Sequence, residues 1–341
     1  MIDLKAEEPA RRPTEAVARR KLLVKAADPE VMWVGLLVVL GAIILVVAIL
    51  TTQSFLSRVN GTLIGTNFGY VAIMCLSMAC VILCGEIDLS VGATMGLSAA
   101  VLVRVIQAGV PGWLAAVVAL SVAVGCGAFN GFMISYVGVP SLVLTIGSLA
   151  LFSGIQQGLL GSGSFVDLPG WLQTLGVANV ASTSVPIVLV IVVVEAAGLV
   201  IVLRWLRVGR DLYSIGCNRV AAYRAGIRVN RTVLWVFILS GLNSGIAGLL
   251  YAGAIASVDA TVGVNIELLV IATVLLGGID SFGGRGRVGG VLGAVVVMAI
   301  LTDFMVLHEM TTTWQSLVVG VLLICGVIGP AALRHRASRL S

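Results

Sequence analysis

Charge is what this sequence has least of. Only 11% of its 341 residues are charged, 59% are hydrophobic, and the mean hydropathy is +1.11. A soluble domain carries about 25% charged and 45–50% apolar residues. A soluble globular enzyme, a disordered chain and a nucleic-acid-binding module are therefore excluded. Histidine is nearly missing: His308 and His335 are the only two, which leaves little for a histidine-held metal or a catalytic triad. Lysine is confined to Lys5, Lys21 and Lys25. A P-loop needs a lysine to reach the nucleotide phosphates, and no Gly-Lys pair occurs, so any ATP at work must be bound by another chain. Metal-type cysteine spacing is absent as well. Cys75, Cys80, Cys84, Cys126, Cys217 and Cys325 form no C-x-x-C pair, and five of the six lie in apolar runs. They read as small buried hydrophobes. Gly284, Gly286 and Gly289 spell G-x-G-x-x-G, but a dinucleotide site needs a βαβ unit around that motif, and here it sits between two apolar runs.

Long apolar runs are what the chain has in abundance. They cover residues 33–51, 62–84, 91–108, 113–135, 141–160, 185–203, 232–252, 266–276, 288–305 and 313–329. A membrane-spanning helix needs about 20 such residues. The expectation is an all-α polytopic membrane protein of about ten transmembrane helices with broken or re-entrant segments. The eighth run is short and ends in glycines. All eight prolines fall in tails, in loops or at run ends, where a residue without an N–H costs least. The domain organisation expected is a tail at 1–32, a transmembrane domain at 33–330 and a tail at 331–341. The first run begins too late for an ordinary signal peptide and reads as an uncleaved span.

Basic residues set the orientation. Of the 21, all but Arg58 and Arg104 fall in the N-terminal tail, the loop at 204–231, the turn holding Arg285 and Arg287, or the C-terminal tail. With ten spans these four segments share one side, so both termini are expected to be cytoplasmic. The stretch 161–184, with Asp167 as its single charge, is the longest external loop.

Three segments carry chemistry. Residues 84–92 read CGEIDLSVG and set Glu86 and Asp88 among glycines between two spans. A charge at membrane depth is costly and usually faces a cavity or a partner. One reading is an interrupted segment beside a permeation path. The other is a tight turn in which Asp88 caps the third helix. Residues 277–293 read GGIDSFGGRGRVGGVLG and repeat the pattern of a span, G-x-I-D, glycines and a span, which hints at internal duplication. Glycines that let helices pack closely explain it equally. In the basic loop, residues 218–226 read NRVAAYRAG, a short helix closed by glycine. Its small face of Ala221, Ala222 and Ala225 suits docking into a groove, whereas a plain basic loop would lie on anionic lipid. Polar residues inside the runs (Asn67, Ser77, Thr94, Asn130, Ser148, Ser153, Gln156, Gln157, Asn243 and Ser244) could line a path for an uncharged polyhydroxylated solute. Equally, they could make interhelical hydrogen bonds worth about 0.6 kcal/mol each. Glu195 stands alone in mid-span.

The same segments resemble a known family. GEIDLSVG at 85–92 is similar to the G-x-I-D-L-S-V-G signature of ribose-type, monosaccharide ABC importer permeases of the branched-chain-amino-acid/sugar permease superfamily. AFNGFMISYVGVPSLVLTI at 128–146, GRDLYSIGCNRVAAYRAGI at 209–227 and the glycine-rich stretch at 275–293 resemble further segments of that family. Cys217 stands where the family often has glycine. The resemblance implies a permease subunit of the bacterial cytoplasmic membrane with no cofactor of its own. It would pair with a second permease chain and with two cytoplasmic ABC ATPase subunits holding ATP and Mg. An extracytoplasmic sugar-binding protein would deliver a monosaccharide or related polyol. It implies that Gly209, Arg210, Gly216, Asn218, Ala221, Ala222 and Gly226 couple to the ATPase. The path or gate set read beside it is Glu86, Asp88, Ser90, Asn67, Asn130 and Asn243. An ion-coupled secondary transporter of a small polar solute is the alternative.

Overall fold

The computed structural model describes residues 29–340, apart from 53, 167, 181 and 182. Most of the expected N-terminal tail, and Asp167, therefore lie outside the described residues. Most of the described residues are helical. In lipid every backbone polar group needs an internal partner, which helices supply. The helices are α1 (Pro29–Thr51), α2 (Arg58–Leu83), α3 (Val91–Gln107), α4 (Gly112–Phe132), α5 (Ser141–Leu160), α6 (Gly170–Val177), α7 (Ile187–Trp205), α8 (Arg207–Cys217), α9 (Arg219–Arg224), α10 (Val229–Ile255), α11 (Ile266–Leu276), α12 (Val288–Leu307) and α13 (Thr312–Leu340). A π-helical turn, Met133–Val137, extends α4. The described residues contain no strand, only isolated bridges between Phe165 and Val258 and between Asn179 and Pro186.

Each of the ten apolar runs folds as a helix. Seven helices (α2, α4 with its π-turn, α5, α7, α10, α12 and α13) are long and apolar enough to cross a membrane. The apolar part of α1, with α3 and α11, is shorter. α11 has 11 residues, about 16 Å at 1.5 Å per residue, about half a bilayer core.

α2 and α10 form the centre, and the other helices surround them. Small residues allow this close approach. A Cβ on Gly241 of α10 would fall 2.4 Å from the carbonyl oxygen of Ala123 on α4, so the two backbones touch. The segment expected as a plain outer loop contains α6. Its Leu172 and Gly176 bury against the C-terminal end of α10, near Gly253 and Ala254. Arg104, one of the two basic residues outside the charged segments, donates its Nε to the carbonyl of Leu159 at the end of α5 and lies 5.4 Å from the Phe165 ring centroid. A cation there satisfies the orphan carbonyls of a helix C-terminus.

Candidate functional site

The site is built on the break between α2 and α3. α2 ends where Gly85 takes φ +78, a left-handed conformation that side chains with a Cβ resist. The amide of Glu86 still reaches back to the carbonyl of Val81 at 3.2 Å. Residues 85–90 are then irregular until α3 begins. Irregular backbone inside a membrane protein needs partners from neighbouring elements, and α5 supplies two. Ser141 Oγ accepts the amide of Ile87 at 3.3 Å, and Thr145 Oγ1 donates to the Ile87 carbonyl at 3.3 Å.

Asp88 is buried, at 2% exposure. Its Oδ1 accepts the Ser90 amide at 3.0 Å and the Ser90 hydroxyl at 2.6 Å; its Oδ2 accepts the Ser240 hydroxyl of α10 at 2.8 Å. Ser90 Oγ in turn accepts Asn130 Nδ2 of α4 at 2.8 Å, and Ser148 Oγ of α5 donates to Asn130 Oδ1 at 2.6 Å. Donation runs in one direction from Ser148 through Asn130 and Ser90 to Asp88, so each bond polarises the next. The network ties the entry of α3 to α4, α5 and α10. Asp88 thus organises the turn before α3, whose N-cap position is Ser90, and ties it to three other helices.

Glu86 points to the other side of the break. It forms an ion pair with Arg219, the first residue of α9. α8 lies alongside. A Cβ on Gly216 would fall 2.0 Å from the carbonyl oxygen of Leu83 and 2.3 Å from the amide of Gly284, so only glycine fits. The Gly284 amide itself donates to the Leu83 carbonyl at 2.9 Å, and Tyr213 donates its hydroxyl to the Gly286 carbonyl at 3.0 Å. The basic loop, the α2–α3 break and the glycine-rich turn before α12 therefore meet at one junction.

The remaining sequence-predicted residues divide clearly. Asn218 caps α9, its side chain accepting the Ala221 amide at 3.0 Å, and Gly226 closes that helix at φ +84. Arg210 and Ala221 are exposed, and Gly209 is buried against the end of α7. Ala222 is 4% exposed, at the floor of an open groove of about 420 Å³ that it lines with Ala221 and Ala225. α9 presents Val220 and Tyr223 outward, at 60% and 72% exposure. Its α-helical turn puts residue 222 on the side opposite to them. Asn67 is exposed on α2, about 24 Å of helix from Leu83, and does not join the network. Asn243 binds the Ile73 carbonyl at 3.0 Å and the carboxylate of Glu195, linking α10 to α2 and α7.

Sequence reasoning missed Ser240, Arg219 and Glu267. Ser240 was visible as a hydroxyl in an apolar run; its pairing with Asp88, 152 positions away, had no local signal. Glu267 is 8% exposed and lines a small cavity of about 120 Å³ with Ser153, Gln156 and Asn265. Gln156 Nε2 donates to the Val262 carbonyl there at 3.0 Å. Among the described residues no cluster of three or more His, Cys, Asp or Glu could hold a metal ion.

Comparison with known proteins places the chain. It is 30% identical over 295 residues to the D-allose transport system permease protein AlsC of Escherichia coli, covering 86% of this chain and 90% of that protein. It is 32% identical over 276 residues to the autoinducer 2 import system permease protein LsrD of Escherichia coli, covering 80% and 83%. It is 29% identical over 279 residues to the autoinducer 2 import system permease protein LsrC of Yersinia enterocolitica, covering 82% and 77%. No solved structure matches it. Residues 60–327 match the family described as branched-chain amino acid transport system, permease component, and the chain belongs to that family.

Proposed function

We propose that this chain is the translocation subunit of an ATP-driven importer for a monosaccharide or related polyol, in the bacterial cytoplasmic membrane. The observation that carries this reading is its similarity, along 86% of its length, to a D-allose permease. The chain crosses the bilayer about ten times, with the break at residues 84–90 and short α11 as its interrupted segments. Both termini and the 204–231 loop face the cytoplasm. The tails are 1–32 and 331–341, and the transmembrane domain is 33–330.

The chain carries no ATPase site of its own; ATP and Mg belong to two partner subunits, and a second permease chain completes the path. The basic loop is the coupling element. Exposed apolar side chains on a charged face mark a partner surface, and Val220, Tyr223 and Phe282 provide it. Arg210, Asn218, Ala221 and Gly226 frame that surface, while Gly209, Gly216 and Ala222 hold the loop to the body. Motion of the loop passes through Gly216 and the Arg219–Glu86 pair into the α2–α3 break. From there it passes through Asp88 and Ser90 to α4, α5 and α10. Hydroxyl and amide groups of Ser153, Gln156 and Asn265 offer the exchangeable hydrogen bonds that a sugar needs.

The test is reconstitution in proteoliposomes with and without the cognate ATPase and binding protein, using a panel of labelled monosaccharides that includes D-allose. Uptake should require the ATPase, Mg-ATP on its side and the binding protein. Uptake by this chain alone, driven by a proton or sodium gradient, would overturn the reading. Val220→Glu with Tyr223→Glu should abolish co-purification of the ATPase while the permease still inserts.

A further inference from the structure

A second cavity lies apart from the junction, between α7 and α10. Its volume is about 740 Å³. The walls are apolar: Leu199 and Val202 from α7, Trp235 and Leu239 from α10. Arg228 and Arg231 stand at one end, with Asp211 of α8 beside them. At the other end Glu195 closes the cavity, its Oε1 accepting Asn243 Nδ2. From Arg231 to Leu239 α10 rises about 12 Å. The cavity is therefore amphipathic along its length, with a net positive mouth and an apolar shaft.

We propose that this cavity is a binding site for one anionic glycerophospholipid of the cytoplasmic leaflet. Its phosphate would rest on Arg228 and Arg231, and one acyl chain would lie between α7 and α10. A sugar or nucleotide does not suit the shaft, whose side walls would leave its hydroxyls unpaired. Basic pockets between transmembrane helices on the cytoplasmic side take anionic headgroups by this chemistry. Trp235, 58% exposed, has the amphipathic ring found at that interface. Because α8 and the α9–α10 turn form part of the wall, the bound lipid ties the coupling segment to the bilayer. The site rests on the cytoplasmic placement of the 204–231 loop and on nothing about the solute.

Trp235 is a built-in reporter. Phenylalanine is placed at Trp33, Trp113, Trp171, Trp205 and Trp314, and the full chain is titrated in nanodiscs with phosphatidylglycerol brominated on its acyl chains. Phosphatidylcholine brominated in the same way is the comparison. Quenching of Trp235 should reach half-saturation at about 25-fold lower mole fraction of phosphatidylglycerol, since each of the two interfacial arginines contributes roughly fivefold. Arg228→Gln with Arg231→Gln should remove that preference. Native mass spectrometry of the chain with all its tryptophans gives the same reading without the phenylalanine substitutions: phosphatidylglycerol retained, and lost in the arginine double variant. Equal quenching by both lipids, or a preference unchanged in the double variant, overturns the proposal. Orientation is tested separately. Cys217 is exposed, and in a Cys325→Ser background it should react with a membrane-impermeant maleimide only from the cytoplasmic side. Labelling only from outside would overturn the orientation, and with it the assignment to the cytoplasmic leaflet, whatever the quenching shows.

Discussion

Two segments of this chain share the pattern G-x-I-D between apolar helices, and they end in different places. At the first, Gly85 takes positive φ; at the second, Gly278 does so, one place later in the pattern. Both aspartates then make the same local turn. Asp88 Oδ1 accepts the amide of Ser90 at 3.0 Å, and Asp280 Oδ1 accepts the amide of Phe282 at 3.1 Å. The two differ in burial. Asp88 is buried and reaches Ser240 on α10, whereas Asp280 is half-buried in a turn closed by its own amide donating to the Arg285 carbonyl at 3.0 Å. Local chemistry sets the turn, and the neighbouring helix decides whether the carboxylate becomes a hub. The two turns also touch: a Cβ on Gly283 would fall 2.5 Å from the Gly85 amide.

The sharpest way to break the comparison is to remove both carboxylates in turn. Asp88→Ala leaves the Ser90 amide, the Ser90 hydroxyl and the Ser240 hydroxyl without their acceptor inside the protein. Hydrogen bonds to a charged group contribute about 1.5–3 kcal/mol each, and a stranded buried donor costs about as much, so a loss of about 3 kcal/mol or more is expected. Asp280→Ala removes the turn bond to the Phe282 amide from a half-buried site, where water can replace lost partners, and should cost less. Asp88→Asn keeps the Oδ1 acceptor and should fall between them. Thermal unfolding of the detergent-solubilised protein, read beside uptake in cells, ranks the three. Equal shifts for Asp88→Ala and Asp280→Ala would mean that burial does not separate the two segments.

Gly216 is where α8 touches both segments at once. Gly216→Ala would push a methyl into the Leu83 carbonyl and the Gly284 amide, both of them backbone. Neither atom can swing aside as a side chain would, and overpacking of this kind costs about 1–3 kcal/mol. Gly226→Ala is the contrast. Its Cβ meets nothing within 4 Å, but its φ is +84, so only the backbone penalty of about 1 kcal/mol remains. The first variant should lower both the unfolding temperature and uptake; the second should lower the temperature less and leave the α2–α3 break intact. A Gly226→Ala effect as large as that of Gly216→Ala would argue against close packing at the junction.

These contrasts mark what was legible in the sequence. Runs of apolar residues translate directly into helices, because a lipid environment leaves the backbone no other way to satisfy itself. The break at 84–90 and the glycine-closed α9 were legible for the same reason: glycine, Asx turns and caps act over a few residues. Partners were not. Nothing near Glu86 in the chain announces Arg219, 133 positions away. The depth of Ala222 was not legible either, because small residues on a short helix suit the rim and the floor of a groove equally. Asn67 was included for being polar in an apolar run, a property that does not say which way a side chain faces.

The Glu86–Arg219 pair gives a smaller effect than Gly216 or Asp88 and one no larger than that of Gly226. Glu86 is nearly buried, but the Arg219 side chain is 43% exposed. Solvent screens a pair of this kind, and about 1 kcal/mol is a fair expectation. Glu86→Gln and Arg219→Gln should each reduce uptake a few-fold with little change in unfolding temperature. The reversed pair, Glu86→Arg with Arg219→Glu, should recover part of the loss. Recovery separates a transmission contact from a general requirement for charge at either position. If both single variants transport normally, the link between loop and break runs through Gly216 alone.

Glu195 supplies the smallest effect and the last contrast with Asp88. Both are carboxylates at membrane depth, but Asp88 accepts three hydrogen bonds while Glu195 accepts one, from Asn243 Nδ2. Glu195→Gln keeps an oxygen in place for that donor and removes the charge, whose insertion into a bilayer costs about 2.5–3.5 kcal/mol or more at mid-helix. The hydrogen bond is kept and the charge is removed, so stability should hold or rise rather than fall. If ATP drives transport, uptake should stay largely intact and should not acquire or lose a dependence on pH. The measurement is initial uptake rate across pH 6–8 in the wild type and in Glu195→Gln at matched expression. Loss of uptake together with loss of a pH dependence present in the wild type would assign Glu195 to proton coupling, and the energy source would have to be reconsidered.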